Sequence, residues 1–104
     1  MTRVRIDPLA RLEVLDAVDY YSQFSEELVF ALADVFEHAL DQLSQFPLSM
    51  PVVRGEIRKR PLFRFPYTVF YRATESEVYV IAFVHQRRGP THLAVRLSND
   101  NSES

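Results

Sequence analysis

The sequence predicts an α+β domain: an N-terminal strand and an antiparallel helical hairpin packed on an antiparallel sheet of about four strands. Three observations predict it. Apolar residues recur at helical spacing through the first half of the chain, whereas the second half is rich in β-branched and aromatic residues. At 104 residues the chain is one domain, large enough to bury a core without disulfides or a structural metal. Its 47% hydrophobic and 25% charged residues are ordinary for a globular protein.

The segment TRVRI (2–6) alternates polar and apolar side chains and reads as a short opening strand. Asp7 and Pro8 follow as a helix start, Asp7 as N-cap and Pro8 at the first helical position. Leu12, Leu15, Val18 and Tyr20 or Tyr21 then recur at helical spacing, with Asp16 and Asp19 opposite, so a first helix is expected over 8–22. Ser25 begins a second helix, and Glu26 and Glu27 sit where its macrodipole favours negative charge. Leu28, Leu32, Val35, Phe36, Ala39, Leu40, Leu43 and Phe46 form its apolar stripe, which Pro47 ends. At this spacing Phe36 and Phe46 belong to the core. The short link between the helices makes them an antiparallel hairpin.

PLSMPVVRGE (47–56) is rich in breakers and reads as a connection. Then EIRKR (56–60), PYTVFYRA (66–73) and EVYVIAFVHQ (77–86) read as consecutive strands of a meander, with TES (74–76) as a hairpin loop and PLFRF (61–65) as a longer connection. The opening strand must join the same sheet to pair its backbone groups. Pro66 stands at the first position of its strand, where its missing N–H costs little. Strict alternation places Tyr79, Ile81, Phe83 and His85 on one face, and Val78, Val80, Ala82 and Val84 on the other. It likewise separates Tyr67, Val69 and Tyr71 from Thr68, Phe70 and Arg72. Both strands are apolar on both sides and should therefore be central and largely covered. The segment PTHLAVRL is compatible with a helical turn or a last strand, and residues 98–104 are expected to be a disordered polar tail after a single domain over 1–97.

Several function classes drop out on composition. The chain has no cysteine, which excludes thiol nucleophiles, disulfides and thiolate zinc sites. No apolar run reaches the roughly 18 residues of a membrane span, and no signal-peptide core precedes the first strand, so a cytoplasmic protein without membrane partners is expected. The net charge is −2, but its distribution is uneven: residues 1–50 hold three arginines and nine acids, while residues 51–104 hold nine basic residues and five acids. Five of the basic residues (Arg54, Arg58, Lys59, Arg60 and Arg64) fall within eleven positions. One acidic and one basic surface follow, the latter suited to an anionic partner or to balancing the chain's own acids. Arginine outnumbers lysine eleven to one, and its planar fork suits phosphate or carboxylate.

Of the three histidines, His38 lies in the second helix as a structural or surface residue. None has metal-ligand spacing, so neither a metal nor another cofactor is expected. Serine nucleophile motifs and glycine-rich phosphate loops are absent. His85 ends the last strand and is followed by Arg87 and Arg88, in reach of Arg58, Arg60 or Arg64 if the strands close up. Imidazole for proton transfer with guanidinium for phosphate charge is a sensible set for RNA cleavage. It is equally sensible for docking an acidic protein segment, or as a solvated strand end.

These residues resemble the RelE/ParE toxin superfamily, in particular its ParE-like plasmid stabilisation branch. The matching elements are Arg58 to Arg60, Phe65-Pro66-Tyr67, Tyr71, and His85, Arg87, Arg88 and Pro90, together with the helical LDAVDYYSQ. The likeness runs from about residue 3 to residue 97. It implies the toxin half of a bacterial type II toxin–antitoxin module, a growth inhibitor bound by a cognate antitoxin. Arg58, Lys59, Arg60, Arg64, Tyr71 and Arg88 would form the surface for target or antitoxin. ParE-like members act on DNA gyrase without a nuclease site. RelE-like members cut mRNA on the ribosome, and in that alternative His85 would be acid or base and Arg87 the phosphate-stabilising group. Thr68 falls where RelE-type nucleases place a catalytic arginine, and the sequence pI near 5.9 is low for a ribosome-binding nuclease. The resemblance therefore favours the ParE-like reading. A homologue that only binds antitoxin is a third.

Overall fold

The structure, a computed structural model, describes residues 2–87. Its elements are β1 (Arg3–Ile6), α1 (Pro8–Ser22), α2 (Glu26–Gln45), β2 (Val52–Arg54), β3 (Ile57–Pro61), β4 (Tyr67–Ala73) and β5 (Glu77–His85). Both helix starts form as the sequence predicts. The Asp7 carboxylate accepts from the Leu9 N–H at 2.9 Å with Pro8 opening α1, and Ser25 Oγ accepts from the Leu28 N–H at 3.1 Å.

The strands form one sheet in the order β1-β5-β4-β3-β2. It has five strands rather than about four, and it is mixed rather than purely antiparallel. β1 runs parallel to β5, from Arg3 opposite Glu77 to Ile6 opposite Val80. The two helices between β1 and the meander supply the long crossover that a parallel pair requires. The fifth strand lies in the segment read as a connection. Gly55, at φ 55°, turns the chain between β2 and β3 in a backbone region that glycine enters without steric cost. β2 is short, exposed and on the sheet's edge, which is why two prolines close before it are tolerated. Pro66 immediately precedes β4 and uses its carbonyl, which accepts from the Gln86 N–H at 2.7 Å.

Helices α1 and α2 cover one face of the sheet. The core between them gathers Ala10 and Ala17 of α1, Leu32, Ala39 and Leu43 of α2, and Val69, Tyr71, Val78, Val80 and Phe83 of the sheet. Leu12, Leu15 and Phe46, expected to face this core, are instead 56%, 54% and 60% exposed. Alanines hold the inner face of α1, because a helix lying this close to a strand has room only for small side chains there. A smaller cluster of Ile57, Phe70, Ile81, Ala82 and Val84 lies buried apart from the first, with Tyr79 beside it.

A β-bulge corrects the expected faces of β5. Phe70 pairs with Ala82 and Tyr71 with Val80, leaving Ile81 unmatched across the ladder. The bulge resets the alternation, so Phe83 joins Val78 and Val80 in the helix-side core instead of Tyr79 and Ile81. Strand β4 keeps the expected alternation of Tyr67, Val69 and Tyr71 against Phe70. Arg88, the segment PTHLAVRL and the tail 98–104 lie outside the described residues.

Candidate functional site

An open groove of about 900 Å³ runs between α1 and the ends of β4 and β5. Its helix wall carries Glu13, Asp16 and Tyr20, which share one flank because they follow at intervals of three and four residues. Its sheet wall carries Pro66, Tyr67 and Phe83, and His85 and Arg87 close one end. Tyr67 stacks on Phe83 at 4.7 Å between ring centroids, and His85 meets Tyr67 edge-on at 5.1 Å. These contacts place the imidazole on the helix side of the sheet.

The His85 Nδ1 accepts from the Arg87 N–H at 2.9 Å. A neutral ring in that arrangement carries its proton on Nε2, leaving one donor for the groove. Across the groove, Glu13 Oε1 accepts from the Phe83 N–H at 3.1 Å. A helix carboxylate thereby holds a backbone donor of β5 beyond the last residue paired with β1. The site is therefore mixed in charge, with two carboxylates facing a histidine and an arginine. It suits a peptide bearing both apolar and basic groups better than a phosphate, which Glu13 and Asp16 would repel.

The remaining sequence-predicted residues do not converge here. Arg58 and Arg60 stand on β3, two strands and roughly 10 Å of sheet from β5. Arg58 Nη1 donates to the carbonyls of Leu48 and Met50 at 3.1 and 2.6 Å, and Arg60 Nε to Gln42 Oε1 at 2.8 Å. Both guanidiniums are committed to fastening the chain around the end of α2. Tyr71 is fully buried and its hydroxyl donates to the Pro47 carbonyl at 3.1 Å, so it offers a partner no surface. Burial pushes its phenol above the ordinary value of 10.0, against the opposing pull of the Arg58 guanidinium, the Met50 backbone and Arg60. Lys59 is exposed on β3, and Arg64 is exposed in the loop before β4. Among the described residues, no three His, Asp or Glu side chains gather as a metal site, and no helix is long and apolar enough to cross a membrane.

Sequence reasoning missed the α1 wall. The signal is present as Glu13, Asp16 and Tyr20 along one flank, but helical periodicity places Asp16 only on the face opposite the apolar stripe. Tyr21 lies behind Tyr20 and packs edge-on against Phe65 at 5.2 Å. Burial, with Tyr20 adding to it, pushes the Tyr21 phenol above 10.0.

A comparison with curated protein sequences finds no relative. Among solved structures, the fold matches a chain of the chromosomal ParDE TA system from P. aeruginosa with a TM-score of 0.70 and 16% identity. The match covers 82% of this chain and 96% of that one. The family model for the ParE toxin of the type II toxin–antitoxin system parDE matches residues 4–90. The chain thus belongs to the ParE toxin family, the toxin component of type II toxin–antitoxin systems.

Proposed function

We propose that this protein arrests bacterial growth from within the cytoplasm by acting on DNA gyrase, is neutralised by a cognate antitoxin, and does not cleave RNA. The observation that carries the last point is the surroundings of Thr68. This residue is 8% exposed and pairs with Val84, one step from Phe70. Val84 and Phe70 belong to the apolar cluster away from the helices. A threonine there cannot stabilise phosphate charge; the cations of that face are Lys59, opposite Phe70 on β3, and Arg72, held against the Tyr79 ring. His85, the candidate acid or base, stands on the helix side. The Thr68 position and His85 thus lie on opposite faces of one sheet, which leaves Arg87 as the cation beside the imidazole, whereas phosphate chemistry needs its groups around a single atom.

The groove beside α1 supports an antitoxin as its occupant. Its apolar floor and carboxylate wall fit a segment carrying apolar and basic side chains, and its open end reaches His85 and Arg87. An antitoxin seated there would cover both.

Purified protein added at stoichiometric excess to gyrase and relaxed plasmid should abolish supercoiling, and the antitoxin should restore it. Normal supercoiling would reject the gyrase target. New 5′ ends in ribosome-programmed mRNA would reject the non-nuclease reading, whatever gyrase does.

A further inference from the structure

The loop between β3 and β4 has an uncommon backbone. The Phe65 N–H donates to the Phe63 carbonyl at 2.9 Å and the Tyr67 N–H to the Phe65 carbonyl at 2.9 Å. Two three-residue turns therefore follow each other, centred on Arg64 and Pro66. Proline suits the second. The first holds Arg64 at φ 74°, and among the described residues Arg64 alone has a positive φ without being glycine. A side chain enters that region only where its surroundings impose it.

Those surroundings are firm. Leu62 and Phe65 are buried on either side, and the Leu62 N–H donates to the Tyr67 carbonyl at 2.8 Å. Between these anchors Phe63 is 77% exposed, the highest value among the large apolar side chains described. The Arg64 guanidinium lies 5.7 Å from the Phe65 ring, and the ion pair among the described residues is Arg5 with Glu77. Folding alone would be served better by glycine at 64 and a polar residue at 63. An exposed aromatic ring on a backbone already fixed in shape has the character of a binding anchor, since little freedom is lost on docking.

We propose that the Phe63–Arg64 tip docks the toxin's target, the Phe63 ring entering an apolar pocket on a protein and Arg64 pairing with a carboxylate at its mouth. The proposal rests on the toxin reading above and names the surface that reading requires. Charge favours a protein over a nucleic acid. The loop runs on into Pro66 and Tyr67, which line the groove walled by Glu13 and Asp16. A polyanion would meet that field broadly, whereas one carboxylate opposite Arg64 would not.

Phe63→Ser and Arg64→Gly both suit the fold, the first removing an exposed ring and the second matching the positive φ. Induced growth arrest, inhibition of purified gyrase, antitoxin affinity and thermal stability are measured for each, with Val52→Ser at the exposed sheet edge as control. Both tip variants should lose at least about tenfold in growth-arrest potency while stability, antitoxin affinity and the control stay at wild-type level. Wild-type potency in both variants would overturn the proposal, as would a parallel loss of antitoxin affinity. Loss of arrest in the variants, with wild-type protein leaving supercoiling intact, would reject gyrase and keep the tip. A wild type that fails to arrest growth would bring down the toxin reading and the tip together. Binding of a fluorescein-labelled single-stranded RNA that Phe63→Ser abolishes would overturn the protein pocket in favour of base stacking.

Discussion

Replacing Tyr71 with phenylalanine and Arg58 with methionine separates a structural clasp from a contact surface. The Tyr71 hydroxyl donates to Pro47 at 3.1 Å, and Arg58 donates to Leu48 at 3.1 Å and Met50 at 2.6 Å. Together they pin residues 47–50, the link between α2 and β2. Removing the neutral donor strands a part-buried carbonyl and should cost about 1–2 kcal/mol; removing the charged donor from two carbonyls should cost about 1.5–3 kcal/mol. For a domain of this size that lowers Tm by roughly 5–10 °C for Tyr71→Phe and roughly 10–20 °C for Arg58→Met. Because both side chains hold the same segment, the double variant should lose less than the sum, by about 0.5–1.5 kcal/mol. Urea denaturation followed by circular dichroism reads the stabilities, and growth arrest is compared at a temperature where every variant is folded. There the toxicities should match the wild type. A variant of wild-type stability that no longer arrests growth would refute the clasp, because its side chain would have to reach a partner.

Three further predictions follow from the same contacts. Burial raises the phenols of Tyr71 and Tyr21 above 10.0, so their stabilisation is complete below the unfolded pKa and is lost as pH rises through the folded one. Unfolding free energy measured from about pH 8 to 11 should fall at the alkaline end, less steeply in Tyr71→Phe; equal slopes would contradict it. Asp7 caps α1 through Leu9 and accepts from the Tyr79 hydroxyl at 2.8 Å. Asp7→Ala should therefore cost about 1–3 kcal/mol by the same denaturation assay, more than an isolated cap. Phe83 is 2% exposed between Phe36 and Tyr67, and Phe83→Ala should cost about 3–5 kcal/mol.

What was legible in the sequence depended on whether one physical signal dominated. The helix starts were readable because Asp7-Pro8 and Ser25-Glu26-Glu27 combine capping, a fixed φ and charge at the same places. The inner face of α1 was not. Hydrophobicity ranks Leu12 and Leu15 above Ala10 and Ala17, but the closeness of helix to sheet selects on size, which the sequence does not display. β2 was hidden for a related reason: Pro51 and Gly55 break structure on average, yet a three-residue edge strand needs few ladder bonds and its turn uses the glycine. The candidate site was half visible. His85 and Arg87 stand where the strand end was expected, while Arg58, Arg60 and Tyr71 serve the interior because a residue's type does not reveal which contacts it has already made.

The bulge at Ile81 shows why the site could not be assembled from alternation, and it can be tested by deletion. The run VYVIAFV is apolar at every position, so no polar residue marks which phase faces the helices. Register with β1 pins Glu77 to Val80, and register with β4 pins Ala82 to His85. Both ends reach the helix-side core only because Ile81 absorbs the extra step. Deleting it while β1 and β4 hold their partners would join Val80 to Ala82 in a regular ladder, with Phe83 and His85 still on the helix side and Val84 still opposite. What is lost is the buried Ile81 side chain of the outer cluster, about 2–5 kcal/mol, against a total of about 5–15 kcal/mol for a domain of this kind. The deletion variant should therefore still unfold cooperatively at a lowered Tm and keep antitoxin binding, since the groove floor keeps its face. A deletion that abolishes cooperative unfolding and antitoxin binding together would mean that Ile81 does more than absorb the extra step, and the bulge would no longer account for the separation of His85 from the Thr68 face.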